Sequence, residues 1–374
     1  MNILIDGRPF VASNAGISTF LKGSLTAWAK RCQNDMFYVA LPGPLHSSFD
    51  KSDCVENIKF IISDSLILKK LPHLIWLQME MPILAKKYQT DVYYSPLPCL
   101  PFFLPRKAQR IVVVHDVVNI EYPETMQWTN VLANKLFYKR SIRKADLIWT
   151  NSLYTRQKVE HYFPQRRCKE IFTGCSVNRN LYQPIPIQED EADTIKKELG
   201  IQGHFILFVG SLEPRKNLSF LLSLMPEIYK RTGRQLVVVG AKGWKNSGIR
   251  EMVEDKAFPR QSTVFCGYVS NEQLAKLYNM ADCFVSASLN EGFGMPQLEA
   301  LLCGCPIVTA HNSAMIEVAQ GKKGAVTVEG YDPQVWTEQI CEVCKNRPPV
   351  DITQLAAYDW DLILGAFLQY LSSK

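Results

Sequence analysis

The sequence predicts an α/β chain built as two doubly wound, Rossmann-like domains. Three observations lead there. At 374 residues the chain exceeds what one hydrophobic core ordinarily serves, so two domains of about 150–200 residues each are expected. Short runs of β-branched and aromatic residues alternate with stretches of helical character, the pattern of a largely parallel sheet. That alternation is broken between Tyr182 and Asp193 by the polar, proline-bearing QPIPIQEDEAD, which reads as a linker. The division is therefore 1–181, a linker at 182–193, a second domain at 194–356, and a C-terminal helix at 357–374.

Six strands are expected in the first domain, at Asn2–Asp6, Phe37–Leu41, Ile58–Ile62, Val92–Ser95, Ile111–Asp116 and Leu147–Asn151. Six more follow, at Phe205–Gly210, Leu236–Gly240, Val264–Tyr268, Cys283–Ser288, Ile307–Ala310 and Ala325–Val328. In open α/β sheets ligands bind beyond the carboxyl ends of the strands, so the residues just after each run are the first to inspect.

Composition narrows the class. The chain is 47% hydrophobic and 21% charged, an ordinary globular balance. Its net charge of +6 is unevenly spread: residues 1–180 carry 24 Lys and Arg against 14 Asp and Glu, a net of +10, while residues 181–374 are net −4. The first half thus faces an anionic partner, either a membrane surface or a lipid-linked pyrophosphate. No nucleic-acid-binding module is present. Eleven scattered cysteines and no leader segment give a reducing, cytoplasmic reading with free thiols. Cys341-x-x-Cys344 lacks a second ligand pair, which argues against zinc. No G-x-G-x-x-G follows a strand, which disfavours a dinucleotide oxidoreductase. No apolar run approaches the ~18–20 residues that span a bilayer. Leu66–Tyr88 and Val131–Lys144 are amphipathic and basic; such patterns are commonly packed on the protein's own sheet, and interfacial contact is the alternative.

The most informative stretch is CFVSASLNEGFGMPQLEALLCGCPIVTA, from Cys283 to Ala310. A buried strand leads into a glycine loop, and Met295-Pro296 opens a helix with proline at its first position. Gly304 closes that helix as a C′ glycine. Backbone N–H groups of Gly292, Phe293, Gly294 and Met295, with the positive helix end, suit a phosphate. Glu291 and Glu299 frame that anion site from the loop and the first helical turn. A carboxylate repels phosphate, so the pair suits sugar hydroxyls; the structural reading is a solvated loop residue and a helix-dipole partner.

The string EGFGMPQLEAL resembles the E-x7-E signature of retaining glycosyltransferases of the GT-B fold, family 4. The resemblance implies that Glu291 contacts a donor hexose and Glu299 a donor ribose. It extends over the full length through three further features. DGRPFVASNAGISTF carries Ala15-Gly16 where the family has a glycine loop, so Gly16 is expected to approach a phosphate or acceptor. The strand IVVV ends in His115-Asp116, where the family places a histidine near the reacting carbon; Asp116 either orients it or faces the acceptor. Gly210-Ser211 open GSLEPRKN, the family's donor-phosphate turn, with Lys216 at its lysine. Ser211 stands where many members have arginine, and Arg215 is the candidate substitute. Beyond these three, Tyr268-Val269 resemble the family's base-binding loop.

What the resemblance implies is a GT-B architecture, two domains facing each other across a cleft with the C-terminal helix crossing back to the first. It implies transfer of a hexose from a GDP- or UDP-sugar, with GDP-mannose the first choice, to a saccharide acceptor, with a lipid-linked one expected. Retention would come from front-face attack, the leaving phosphate taking the acceptor proton. His115, Arg215, Lys216 and Glu291 are then the catalytic set. Neither a metal nor another cofactor is expected: Asp359-Trp360-Asp361 spells D-x-D but sits where a helix N-cap belongs. A nucleotide-sugar epimerase of the same fold, a non-catalytic partner subunit and a metal-dependent transferase are the rivals.

Overall fold

The computed structural model describes all residues except 12–14, 48, 50–53, 64–71, 122–136, 241–246, 256–257 and 373–374. The chain divides into two compact units, Met1–Ser176 with Tyr358–Lys374, and Val177–Ala357.

Among the described residues the first unit holds one parallel sheet in the order β3-β2-β1-β4-β5-β6-β7. Its strands are β1 (Asn2–Asp6), β2 (Met36–Leu41), β3 (Ile58–Ile62), β4 (Val92–Ser95), β5 (Gln109–Val114), β6 (Leu147–Thr150) and β7 (Ile171–Thr173). Six match the expected runs; β7 is an addition, three residues that follow a charged stretch and so formed no legible run. The central strands lie between helices on both faces, which is why Ile111–Val114 are all apolar and fully buried. Helices α1 (Ala15–Arg31), α2 (His73–Lys87) and α3 (Leu153–Tyr162) cover the sheet. Gly16, expected in a loop, is the second residue of α1.

The second unit holds a parallel sheet in the order β10-β9-β8-β11-β12-β13. Its strands are β8 (Phe205–Val209), β9 (Gln235–Val239), β10 (Thr263–Gly267), β11 (Cys283–Ser286), β12 (Ile307–Ala310) and β13 (Ala325–Val328). Its longer helices are α4 (Glu189–Leu199), α5 (Leu218–Thr232), α6 (Ser247–Glu254), α7 (Asn271–Met280), α8 (Met295–Leu302) and α9 (Pro333–Asn346). The stretch 182–193 contains the start of α4 and the buried Tyr182. A core of Phe208, Leu221, Met225, Val285, Trp336 and Ile340 sits between the sheet and the α5–α9 layer.

The chain then returns to the first unit as α10 (Trp360–Ser372), as the crossing-back helix was expected to do. The Asp359 carboxylate caps it, accepting the N–H groups of Asp361 at 2.8 Å and Leu362 at 3.2 Å. This is the N-cap role expected for it from the sequence. Helix α10 packs on α1, and Phe367 lies 4.4 Å from the Trp149 ring and 5.2 Å from Trp28. Among the described residues no helix is long and apolar enough to cross a membrane.

Candidate functional site

In the second unit the chain winds one way through β8, β9 and β10, then returns to place β11 beside β8. The reversal opens a crevice outside the ends of β8 and β11, the usual ligand position in such sheets. The loops that follow these two strands supply the site.

After β8 comes Gly210, whose N–H donates to the Val239 carbonyl at 2.9 Å. Gly240, just past β9, has φ 149°, and a Cβ there would lie 1.9 Å from the Gly210 carbonyl oxygen. Only glycine permits that approach. The partly buried Ser211 follows, then a 3-10 turn, Pro214–Lys216, in which the Lys216 N–H donates to the Glu213 carbonyl at 3.0 Å. The Arg215 carbonyl accepts the Leu289 N–H at 2.8 Å, docking this turn on the loop after β11.

Three predicted residues meet there. Lys216 Nζ donates to Glu291 Oε1 at 2.5 Å, and Arg215 Nη1 donates to Glu291 Oε2 at 2.9 Å. Arg215 Nη1 also donates to the Asn290 carbonyl at 2.6 Å. Burial alone would raise the Glu291 carboxyl, but the charges of Lys216 and Arg215 outweigh it and bring the pKa to about 2. Glu291 is therefore a locked carboxylate between two cations, contrary to the solvated-loop reading.

The Glu291 backbone is fixed from β12. Its N–H donates to Ser313 Oγ at 3.0 Å, and Ser313 holds the left-handed conformation at φ 49°. Ser313 donates in turn to Asn312 Oδ1 at 2.8 Å, and Asn312 Nδ2 donates to the Ser288 carbonyl at 3.1 Å. Tyr331 OH donates to that same carbonyl at 3.0 Å. Ser313, Asn312 and Asn290 escaped the sequence reading. A polar HNS directly after a buried strand was the available signal.

Gly294, at φ 95°, caps α8, and Met295 opens it with Pro296 second rather than first. Gly292 and Phe293 are buried in the loop before it. Glu299 is the fifth helical residue, one turn deeper than expected, and is only 6% exposed. Tyr278 OH on α7 donates to Glu299 Oε2 at 3.0 Å. Burial raises the Glu299 carboxyl to about 7, against the opposing hydrogen bonds of Tyr278 and Tyr182. The two glutamates thus sit in opposite electrostatic settings. Tyr268 is 65% exposed beyond β10 and Val269 is buried. Their loop joins the Gly210 turn through the Gly240 N–H, which donates to the Gly267 carbonyl at 2.8 Å.

In the first unit His115 and Asp116 are the first two residues after β5. His115 Nε2 donates to the Pro96 carbonyl at 2.9 Å, which leaves Nδ1 as the acceptor. Its ring meets Phe20 of α1 edge-on at 4.9 Å. Burial lowers the His115 pKa despite the Pro96 bond and the Asp116 charge, so the ring is neutral near pH 7. Asp116 does not orient it. The Asp116 carboxylate accepts the Val118 N–H at 3.2 Å, and its carbonyl accepts Tyr138 OH at 2.7 Å. A buried ion pair that the sequence did not reveal stands at the tip of β1, where Arg8 Nη2 donates to Asp6 Oδ2 at 2.7 Å. Among the described residues no group of three His, Cys, Asp or Glu side chains is arranged to hold a metal.

Residues 191–359 match the family model described as glycosyl transferases group 1. The O-antigen chain mannosyltransferase B of Escherichia coli is 31% identical over 251 residues, 64% of this chain and 62% of that protein. The match thus spans about three fifths of that relative. Sucrose-phosphate synthase of Thermosynechococcus elongatus superposes with a TM-score of 0.73 at 15% identity, covering 100% of this chain and 99% of that one. HepE of Anabaena in complex with UDP-glucose gives a TM-score of 0.68 at 16% identity, with 100% of both chains covered. Both likenesses are of fold.

Proposed function

We propose, from the premise that this chain has the GT-B fold and that its residues 191–359 are a glycosyl transferases group 1 domain, that it is a retaining hexosyltransferase. The observation that carries the reading is the grip of Lys216 and Arg215 on Glu291 at the β8–β11 crevice. A diphosphate needs cations and a hexose needs a hydroxyl acceptor; this cluster holds both within one hydrogen-bond length.

The donor is a nucleotide sugar, as in the UDP-glucose complex of HepE, and the mannosyltransferase name of the Escherichia coli relative favours GDP-mannose. The acceptor is a saccharide hydroxyl, carried on a lipid, and the place of work is the cytoplasm. In the transfer the bond from the anomeric carbon to the β-phosphate oxygen breaks, and the acceptor oxygen bonds to that carbon on the same face. The acceptor proton passes to the departing phosphate. Lys216 and Arg215, with the α8 N-terminus, stabilise the charge on the leaving group. Glu291 orients the hexose, Glu299 takes the ribose, and the neutral His115 accepts a sugar hydroxyl on Nδ1. No metal takes part.

A panel of nucleotide sugars tests the reading. The true donor raises the melting temperature by mass action, and incubation with a saccharide acceptor gives an α-linked product and nucleoside diphosphate, in EDTA as without it. Isomerised nucleotide sugar with no transfer product would overturn it.

A further inference from the structure

Helix α2 is apolar on both sides. Trp76, Leu77, Met81, Leu84 and Ala85 face the core. The outer face carries Ile75, Met79 and Ile83 at intervals of four, exposed to 45%, 49% and 60%. A globular surface helix ordinarily turns polar residues outward; an apolar face on each side marks a second apolar environment.

The stripe continues onto a neighbouring loop. Gln78 Oε1 accepts the Phe102 N–H at 2.8 Å, which fixes that loop beside α2. Phe102 and Phe103 are exposed to 48% and 78% there. The Arg140 guanidinium stacks 4.3 Å over the Phe102 ring and donates to the Phe102 carbonyl at 3.2 Å, holding the aromatic outward beside a cation. Lys86 and Lys87 end α2 in the open, and Arg106 is exposed four residues after Phe102.

We propose that this face docks on an anionic phospholipid surface. The apolar side chains enter the acyl boundary while the flanking cations meet headgroup phosphates, the arrangement of an interfacial helix. Charge decides for lipid over a second copy of the chain. The first 180 residues carry a net +10, so two such faces would repel each other, whereas an anionic leaflet attracts them. The docking does not depend on the transfer reading, since vesicle binding needs no donor.

The test is co-sedimentation of the full chain with vesicles of phosphatidylcholine, with and without phosphatidylglycerol. Binding is expected only with the anionic lipid and weakens at high salt. The triple variant Ile75→Ser, Met79→Ser, Ile83→Ser abolishes it while the melting temperature holds, because the residues are already exposed. Lys86→Gln with Lys87→Gln lowers partitioning about fivefold per lysine. Val335→Ser with Ile352→Ser, exposed apolars of the second unit, changes nothing. Wild-type protein that stays in solution, or a triple variant that pellets normally, overturns the proposal. So does a dimer in vesicle-free sedimentation velocity that the triple variant breaks, or a lipid-independent protein partner lost with it.

Discussion

Lys216 and Glu291 stand 75 residues apart, yet the ammonium of the first donates to the carboxylate of the second at 2.5 Å. The contact joins the loop after β8 to the loop after β11, and Arg215 completes it from the same turn. The cations that suit a diphosphate are thus already partnered by a carboxylate.

Glu291→Gln is expected to strengthen binding of free nucleoside diphosphate while turnover collapses. Removing a negative charge beside two cations favours an incoming anion by about 1–2 kcal/mol at surface-like dielectric, roughly a tenfold fall in Kd. Calorimetry with GDP and UDP reads the affinity, and product formation reads the turnover. Weaker diphosphate binding in the variant would show that Glu291 arranges the cations rather than competing for them.

Glu299 sets a pH window of its own. Its carboxyl is raised to about 7 in the folded chain from about 4.5 in a flexible one, so the folded state holds the extra proton. The associated stability is complete below about pH 4.5 and disappears as pH rises through 7. Melting temperatures from pH 5 to 8 should fall more steeply for wild type than for Glu299→Gln. Parallel profiles would place the titration elsewhere. Glu291, with its folded pKa near 2, acts in the opposite sense and loses its contribution only as pH drops below about 4.5.

His115 is half-buried and neutral, with its proton on Nε2 toward Pro96. His115→Ala should cut kcat by at least about a hundredfold and cost about 1–3 kcal/mol of stability, since the Pro96 carbonyl loses its donor. Equal losses in kcat and in folded fraction, measured together, would reduce His115 to a packing residue.

Ser313 combines a left-handed backbone with the hydroxyl that receives the Glu291 N–H. Ser313→Ala keeps the strain and loses the bond, for about 1–2 kcal/mol of destabilisation. Ser313→Gly loses the same bond but relieves the backbone by a comparable amount. The glycine variant should melt above the alanine variant while both lose turnover. Full activity in Ser313→Gly would show that the hydroxyl does not position Glu291.

Much of the fold was legible because buried parallel strands are written as unbroken apolar runs, and IVVV at β5 leaves little choice. Three-residue β7 was not, since Ile171-Phe172-Thr173 offers no pattern beyond its own length. The pairing of Arg215 and Lys216 with Glu291 was hidden for a different reason: it follows from which strands are neighbours, and β8 meets β11 only after two intervening strands have been placed elsewhere. The setting of Glu299 was hidden because α8 is buried from Gln297 to Leu302. A glutamate among leucines and alanine reads as the wet side of a helix, and here that helix has none.

Because α10 closes the first unit, synthesis cannot finish the two units in chain order. The crossing points are tied within each unit, Ser176 Oγ to the Tyr358 carbonyl at 2.9 Å and Arg179 Nη1 to the Leu355 carbonyl at 2.8 Å. The second unit is thus an insertion with its own ends joined, complete in sequence at Ala357. Trp28 and Trp149 still await Phe367 at that moment. On the ribosome the inserted unit can therefore reach its native core first. The unit begun earliest depends on a helix that emerges only after the inserted unit, reversing the usual N-terminal-first order.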